Sequence, residues 1–188
     1  MAEQLNINTT IPRRFLMQLD LKQYVTDVQD YPSPGILFKD ITPLIKDVGA
    51  FAQSIDQLAY IYRDQKFDII TGIESRGFIF ACPLALKLQT PFVPIRKAGK
   101  LPRETIEVEY ELEYGSSVIE IHKDAIEPGS KVLILDDVLA TGGTLKAAAE
   151  LIRKSGSTNI HTCTVIELLA LEGRALLSDL NLTSLITF

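Results

Sequence analysis

Asp136 and Asp137 follow the apolar run Val132-Leu133-Ile134-Leu135 and lead into Val138-Leu139-Ala140-Thr141-Gly142-Gly143-Thr144. An uninterrupted Val-Leu-Ile-Leu is the pattern of a strand covered on both faces. Two acids at its carboxyl end, then a small-residue loop entering a helix, occupy the place where open α/β sheets bind ligands. Gly142 and Gly143 let the backbone turn sharply and bring N–H groups to an anion, while Thr141 and Thr144 add hydroxyl donors. The helix N-terminus supplies its own unpaired N–H groups and the positive end of its dipole. The loop therefore reads as a phosphate cradle. No Gly-Lys-Ser/Thr and no GxGxxG is present, so neither a nucleotide P-loop nor a dinucleotide fold accounts for it. A phosphate beside two acids fits a phosphorylated sugar, with carboxylates accepting from ribose hydroxyls.

Two further segments carry matching chemistry. Gly72-Ile73-Glu74-Ser75-Arg76-Gly77-Phe78 offers backbone donors and one guanidinium suited to a pair of phosphate oxygens, although a surface salt-bridge turn accounts for it equally well. Pro94-Ile95-Arg96-Lys97-Ala98-Gly99-Lys100 places three cations within five positions of an otherwise acidic chain. Such a cluster is usually a solvated face, but after a strand end it would neutralise a polyanion. Glu107, Glu109, Glu111 and Glu113 alternate with Val108, Tyr110, Leu112 and Tyr114, giving one acidic and one apolar strand face with no single glutamate marked as a catalyst.

The elements that must position these residues follow from periodicity. Asp20 is expected to cap a helix over Leu21, Tyr24, Val25 and Val28, broken by Tyr31-Pro32-Ser33-Pro34-Gly35; a second helix fits 47–65. Thereafter strands are expected over 67–73, 91–95, 131–135 and 159–167, and helices over 77–88 and 143–154. Segments 106–114 and 118–122 read as an antiparallel hairpin, an insertion or flap on the core. The fold class is α/β: a mostly parallel twisted sheet with helices on both faces.

Composition agrees with one soluble domain of 188 residues, 46% hydrophobic and 23% charged. A net charge of −5 argues against a broad nucleic-acid surface. Cys82 and Cys163 lie in no metal-binding or disulfide pattern. No signal peptide or membrane span is read, which makes the cytoplasm the expected location. Residues 1–19 read as an extension and 20–188 as one domain.

The run Asp136-Asp137-x-x-Ala-Thr-Gly-Gly-Thr resembles the signature of the type I phosphoribosyltransferases, which bind phosphoribosyl diphosphate (PRPP). The resemblance implies that Ala140, Thr141, Gly142, Gly143 and Thr144 hold the 5′-phosphate and that Asp136 and Asp137 face the ribose hydroxyls. Glu74-Ser75-Arg76 resembles the diphosphate loop of the adenine members. Arg96-Lys97-x-Gly99-Lys100-Leu101-Pro102 resembles the base of their mobile arm, and the chain departs from them at Arg103-Glu104, where that arm varies. Glu74, Ser75, Arg76, Arg96, Lys97 and Lys100 are accordingly assigned to the diphosphate. Leu112-Glu113-Tyr114-Gly115 matches a Leu-Glu-Tyr-Gly motif, which makes Glu113 the catalytic acid/base beside Arg76, with Tyr114 on a flap spanning about 97–122. Tyr31-Pro32-Ser33-Pro34-Gly35 through Asp40-Ile41 resembles a hood over the base, at about 20–45, with Tyr31 in place of the commoner Phe. There Leu37, Phe38 and Lys39 would contact adenine. The resemblance spans about 21–172 and implies AMP formation from adenine and PRPP, Mg²⁺ bound mainly through diphosphate with no metal ligand assigned in the protein, and a homodimer. The rivals are a phosphoribosyltransferase for another base and a PRPP-binding regulator. The hood and Leu-Glu-Tyr-Gly oppose the first. The lack of a basic face or an appended DNA-binding segment opposes the second.

Overall fold

The computed structural model describes residues 19–111 and 116–188. They fall into two compact units that divide after Gln53. In the first, Asp20 accepts from the Lys22 N–H at 3.1 Å and starts a single 3-10 turn, Leu21–Tyr24, in place of the helix expected to Val28. The chain then forms strand β1, Thr26–Gln29, paired antiparallel with β2, Leu37–Asp40. The apolar spacing at 21, 24, 25 and 28 allowed a helix, but Val25, Thr26 and Val28 are β-branched and prefer the extended state once a partner strand is at hand. Asp30 and Gly35 adopt positive φ of 57° and 87°, and the Asp30 carboxylate accepts the Gly35 N–H at 2.7 Å, closing the proline-rich turn. Helix α1, Thr42–Lys46, follows. Asp47 then accepts the Ala50 N–H at 2.9 Å at the head of α2, Val48–Tyr62, which ends three residues before the expected limit.

The second unit is built on seven strands in the order β5-β6-β4-β3-β7-β8-β9. In chain order these are β3 (Ile69–Ile73), β4 (Phe92–Lys97), β5 (Thr105–Glu111), β6 (Ser116–His122), β7 (Lys131–Leu139), β8 (Asn159–Glu167) and β9 (Asn181–Thr187). Strands β4, β3, β7, β8 and β9 run parallel, as expected of an α/β fold. Helix α3, Arg76–Lys87, connects β3 to β4 toward one edge, and α4, Gly143–Lys154, connects β7 to β8 toward the other. Right-handed crossovers in opposite directions put the two helices on opposite faces. Strand β7 serves both: Val132 and Ile134 join the core formed with Ala147, Ala148, Leu151 and Ile152 of α4, while Leu133 and Leu135, also fully buried, alternate to the other side.

Three expectations are revised. Strand β7 continues through both aspartates to Leu139, because Asp136 and Val138 still pair with Thr164 and Ile166 of β8. The hairpin is more than an appended flap: β6 pairs with β4 at Arg96↔Glu120 and Lys97↔Ile119, and Val108, Ile119 and Ile121 are core residues, so its base is the edge of the main sheet. Finally, the tail supplies α5, Gly173–Leu176, and strand β9, neither of which was expected. No helix among the described residues is long and apolar enough to cross a membrane.

Candidate active site

Adjacency of β4, β3 and β7 gathers the separate sequence motifs at one edge of the sheet. Ile73 is in register with Ile95, and Gly72 with Leu135, so Glu74 and Arg96, at the carboxyl ends of β3 and β4, stand level with Asp136 on the longer β7. The connections reverse direction between β3 and β7, which is where such sheets open a crevice.

Close backbone approach sets the α3 side. A Cβ on Gly77 would lie 2.8 Å from the Leu135 carbonyl oxygen and 3.1 Å from Asp136 Oδ1, so only glycine lets the first turn of α3 rest on β7. That approach brings Arg76 Nε within 2.5 Å of Asp137 Oδ2. Asp137 is 4% exposed while Arg76 keeps 45% of its side chain in solvent. Asp136 Oδ1 accepts the Asp137 N–H at 2.9 Å. Loss of water around Asp136 and repulsion from Asp137 raise its carboxyl well above the ordinary range, against the opposing pull of Arg76. Ser75 and Arg76 are exposed at the helix start.

The basic cluster is held by two acids. Arg96 forks onto Glu74 through Nε and Nη2, both at 3.2 Å, and its Nη1 donates to the Lys100 carbonyl at 3.2 Å. The Lys97 N–H donates to Glu74 at 3.0 Å. Burial pushes the Glu74 carboxyl up, but Arg96 and the Lys97 N–H outweigh it and hold it below the usual value. The second acid, Glu120 of β6, was not singled out in the sequence. It is 2% exposed, and one of its oxygens accepts the N–H groups of both Lys100 and Leu101 at 2.8 Å. Burial raises its pKa, and these N–H donors, with those of Gly99 and the Thr105 hydroxyl, lower it further than burial lifts it. Only the register with Arg96 marks this glutamate among the others of the hairpin. Lys97 and Lys100 themselves are exposed.

The loop after β7 turns at Gly142, whose φ of 90° is open to few residues but glycine, and α4 begins at Gly143. A concavity of about 60 Å³ is lined by residues 138–145, with Thr141 exposed and Thr144 half-buried. A Cβ on Gly143 would lie 3.5 Å from the Glu111 carbonyl oxygen, so the end of β5 stands beside this loop. Glu113 and Tyr114 lie outside the described residues. A larger hollow of about 390 Å³ lies at Arg103, Glu104, Lys123 and Asp124, whose side chains are spent in exposed ion pairs. In the first unit, Leu37, Phe38 and Lys39 lie together on β2; Phe38 packs edge-on against Tyr31 at 5.1 Å, and Lys39 Nζ is 2.6 Å from Asp27.

Residues 43–186 match the model of the phosphoribosyl transferase domain. The adenine phosphoribosyltransferase of Kosmotoga olearia is 52% identical over 170 residues, 90% of this chain and 100% of the relative. The chain belongs to the adenine phosphoribosyltransferase family. The crystal structure of the Thermoanaerobacter pseudethanolicus enzyme superposes with a TM-score of 0.86 at 48% identity, covering 89% of this chain and 98% of that one. The Giardia lamblia enzyme complexed with 9-deazaadenine gives 0.87 at 36% identity, covering 90% and 96%.

Two outcomes follow from the site's electrostatics. Glu74 and Glu120 have folded-state pKa values below the ordinary glutamate value of 4.5, so the stability they contribute is complete above that pH and is lost as pH falls through the lower folded-state values. Glu120→Gln should therefore be less stable than wild type at pH 7, by about 1–3 kcal/mol, with the gap closing in acid; urea titrations across pH check this, and a gap independent of pH contradicts it. Asp136 has the opposite sign: its raised pKa means the charged form opposes folding at neutral pH. Asp136→Asn should match or exceed wild-type stability while phosphoribosyl transfer falls by roughly 10²-fold, as thermal unfolding and a rate assay would show.

Proposed function

We propose that this chain transfers the 5-phosphoribosyl group of PRPP to adenine, giving AMP and diphosphate in purine salvage. The observation that carries the reading is the convergence, at three neighbouring strand ends, of a glycine-turned donor loop, an acid pair and a cationic loop. The loop 140–144 holds the 5′-phosphate through its N–H groups and the Thr141 and Thr144 hydroxyls. Asp136 and Asp137 accept from the ribose hydroxyls, and their charge favours the oxocarbenium-like sugar of the transition state. Adenine N9 attacks the anomeric carbon with inversion as the bond to the diphosphate oxygen breaks; the bonding electrons leave with diphosphate, and the N9 proton passes to Glu113.

Masking the leaving group's charge is the larger task. Arg76 does so while its Nε stays on Asp137, so one guanidinium joins the ribose and diphosphate ends of the site. Lys97 and Lys100 present their exposed ammonium groups. All three nitrogens of Arg96 have protein partners, so Arg96 adds charge from behind. The described residues contain no cluster of three metal-ligating side chains. Mg²⁺ would be bound mainly through the diphosphate, with Asp136 and Asp137 as the nearby acids, since this ion keeps waters and takes few protein ligands. When bound, it would neutralise diphosphate charge. Leu37, Phe38 and Lys39 form the adenine hood, and Tyr114 rides on a flap that closes against water. A cytoplasmic homodimer completes the reading.

A purine panel tests it. With PRPP and Mg²⁺, adenine should yield AMP, while hypoxanthine, guanine and xanthine yield no nucleotide; a 6-oxopurine product would refute the hood assignment. Arg76→Ala should lower kcat more than Glu113→Ala, because positioning and leaving-group stabilisation dominate. The reverse order would make proton removal from N9 the dominant contribution.

A further inference from the structure

The rear of the 140–144 loop is closed by a segment that the sequence motifs do not include. A Cβ on Gly142 would lie 2.6 Å from the Gly173 carbonyl oxygen. A Cβ on Gly173 would collide with the Ala140 carbonyl oxygen and come within 3.0 Å of the Gly142 nitrogen. The two backbones therefore touch with no room for a side chain on either, and the obstacles are main-chain atoms that cannot swing aside. Gly173 is itself fixed. Glu172 before it holds a left-handed φ of 50°. Arg174 after it forks onto Glu167, Nε to Oε1 at 2.9 Å and Nη2 to Oε2 at 2.6 Å, and donates further to the Leu182 carbonyl at 3.0 Å and to Ser184 Oγ at 3.2 Å. Glu167 is 4% exposed at the end of β8, directly beside Leu139 of β7 in the ladder. A planar bidentate pair onto a buried acid fixes orientation as well as distance, which a single ammonium contact would not.

We propose that Gly173 and the Glu167–Arg174 pair form a brace that sets the curvature of the 140–144 loop, making Gly173 and Arg174 positioning residues for the group that the loop binds. The brace ties β8 and β9 to the loop that springs from β7, so the last sixteen residues of the chain act on a ligand that they do not touch. This rests on the reading of the loop as the seat of a sugar 5′-phosphate. An N–H cradle depends on its donors converging within hydrogen-bond tolerance, and a displacement of a few tenths of an ångström at Ala140 or Gly142 spoils several bonds together.

The experiment is calorimetric binding of two separate probes, ribose 5-phosphate and inorganic diphosphate, each with Mg²⁺, to folded wild type and variants. Gly173→Ala should weaken ribose 5-phosphate binding by at least about tenfold and leave diphosphate binding unchanged. Arg174→Ala should act in the same direction, and Arg174→Lys should recover part of the loss, because an ammonium restores the charge but not the fork. In turnover, both alanine variants should raise the KM for PRPP more than they lower kcat. Thr141→Ala/Thr144→Val serves as the direct lesion of the loop. If it weakens ribose 5-phosphate while folded Gly173→Ala and Arg174→Ala bind like wild type, the brace is refuted and the loop reading stands. If the threonine variant binds ribose 5-phosphate as wild type does, the loop reading fails and the brace falls with it. Equal weakening of both probes would mean a general loss of structure and would also overturn the brace. Should Gly173→Ala not fold, the Arg174→Ala and Arg174→Lys pair decides.

Discussion

Glu120 sits 2% exposed on β6, between β5 and β4, and is held as a carboxylate by the backbone N–H groups of the 99–101 loop that converge on it. A carboxylate stripped of water must be met by donors or give up its charge, and removing the donors is far more costly than adding a neutral contact would be beneficial. Glu74 meets the same demand with Arg96 and the Lys97 N–H, while Asp137 is held by charge, in an ion pair with Arg76 that makes no hydrogen bond to its Oδ2. Each buried acid thereby dictates where a cation or a cationic loop must stand. The candidate site lies outside this inner layer: Lys97 and Lys100 are exposed, and Arg76 keeps 45% of its side chain in solvent while its Nε stays on Asp137.

Orientation before binding is what electrostatic catalysis needs, because donors that are already in place cost no reorganisation when charge moves. Its cost appears at Asp136, which lies against Gly77 and beside the Asp137 carboxylate, where loss of water and like charge raise its pKa. Such a group opposes folding and favours a cationic sugar, the usual sense of a stability–activity trade-off. The glycines have the same origin. Gly77 lets α3 lean on β7, and Gly142 lets the loop turn where Gly173 blocks any side chain. Both are positions where backbone must approach backbone so that charged groups can meet.

Much of this was legible along the chain. The bounds of α4 and β8 coincide with those expected, because the Leu145–Leu151 stripe and the β-branched run of 159–167 each fit one period only. The donor loop and acid pair were legible for a related reason: all their parts are contiguous. Residues 20–28 misled because their apolar spacing satisfies a helix while their β-branched content satisfies a strand, and the choice belongs to β2 as partner. Glu120 looked like one more glutamate in an alternating hairpin, and its role arises from a register with Arg96 that lies 24 residues away. Gly173 and Arg174 were missed because their partners, Ala140, Gly142 and Glu167, are brought to them only by the β7–β8–β9 ladder. The β-branched residues Thr183, Ile186 and Thr187 were the available signal for β9.

A ligand that engages a preformed crescent of three strand ends, rather than assembling it, should leave the scaffold that holds those ends unchanged. Hydrogen exchange followed with and without Mg²⁺ and PRPP tests that most directly, since it reads backbone protection segment by segment. Protection gained on binding should concentrate at 74–77, 97–101 and 140–144, while the amides of Lys100 and Leu101 on Glu120 should already be slow in the free protein. Fast exchange of those two amides before binding, or protection that spreads through the core strands and bypasses the three segments, would contradict a preformed crescent.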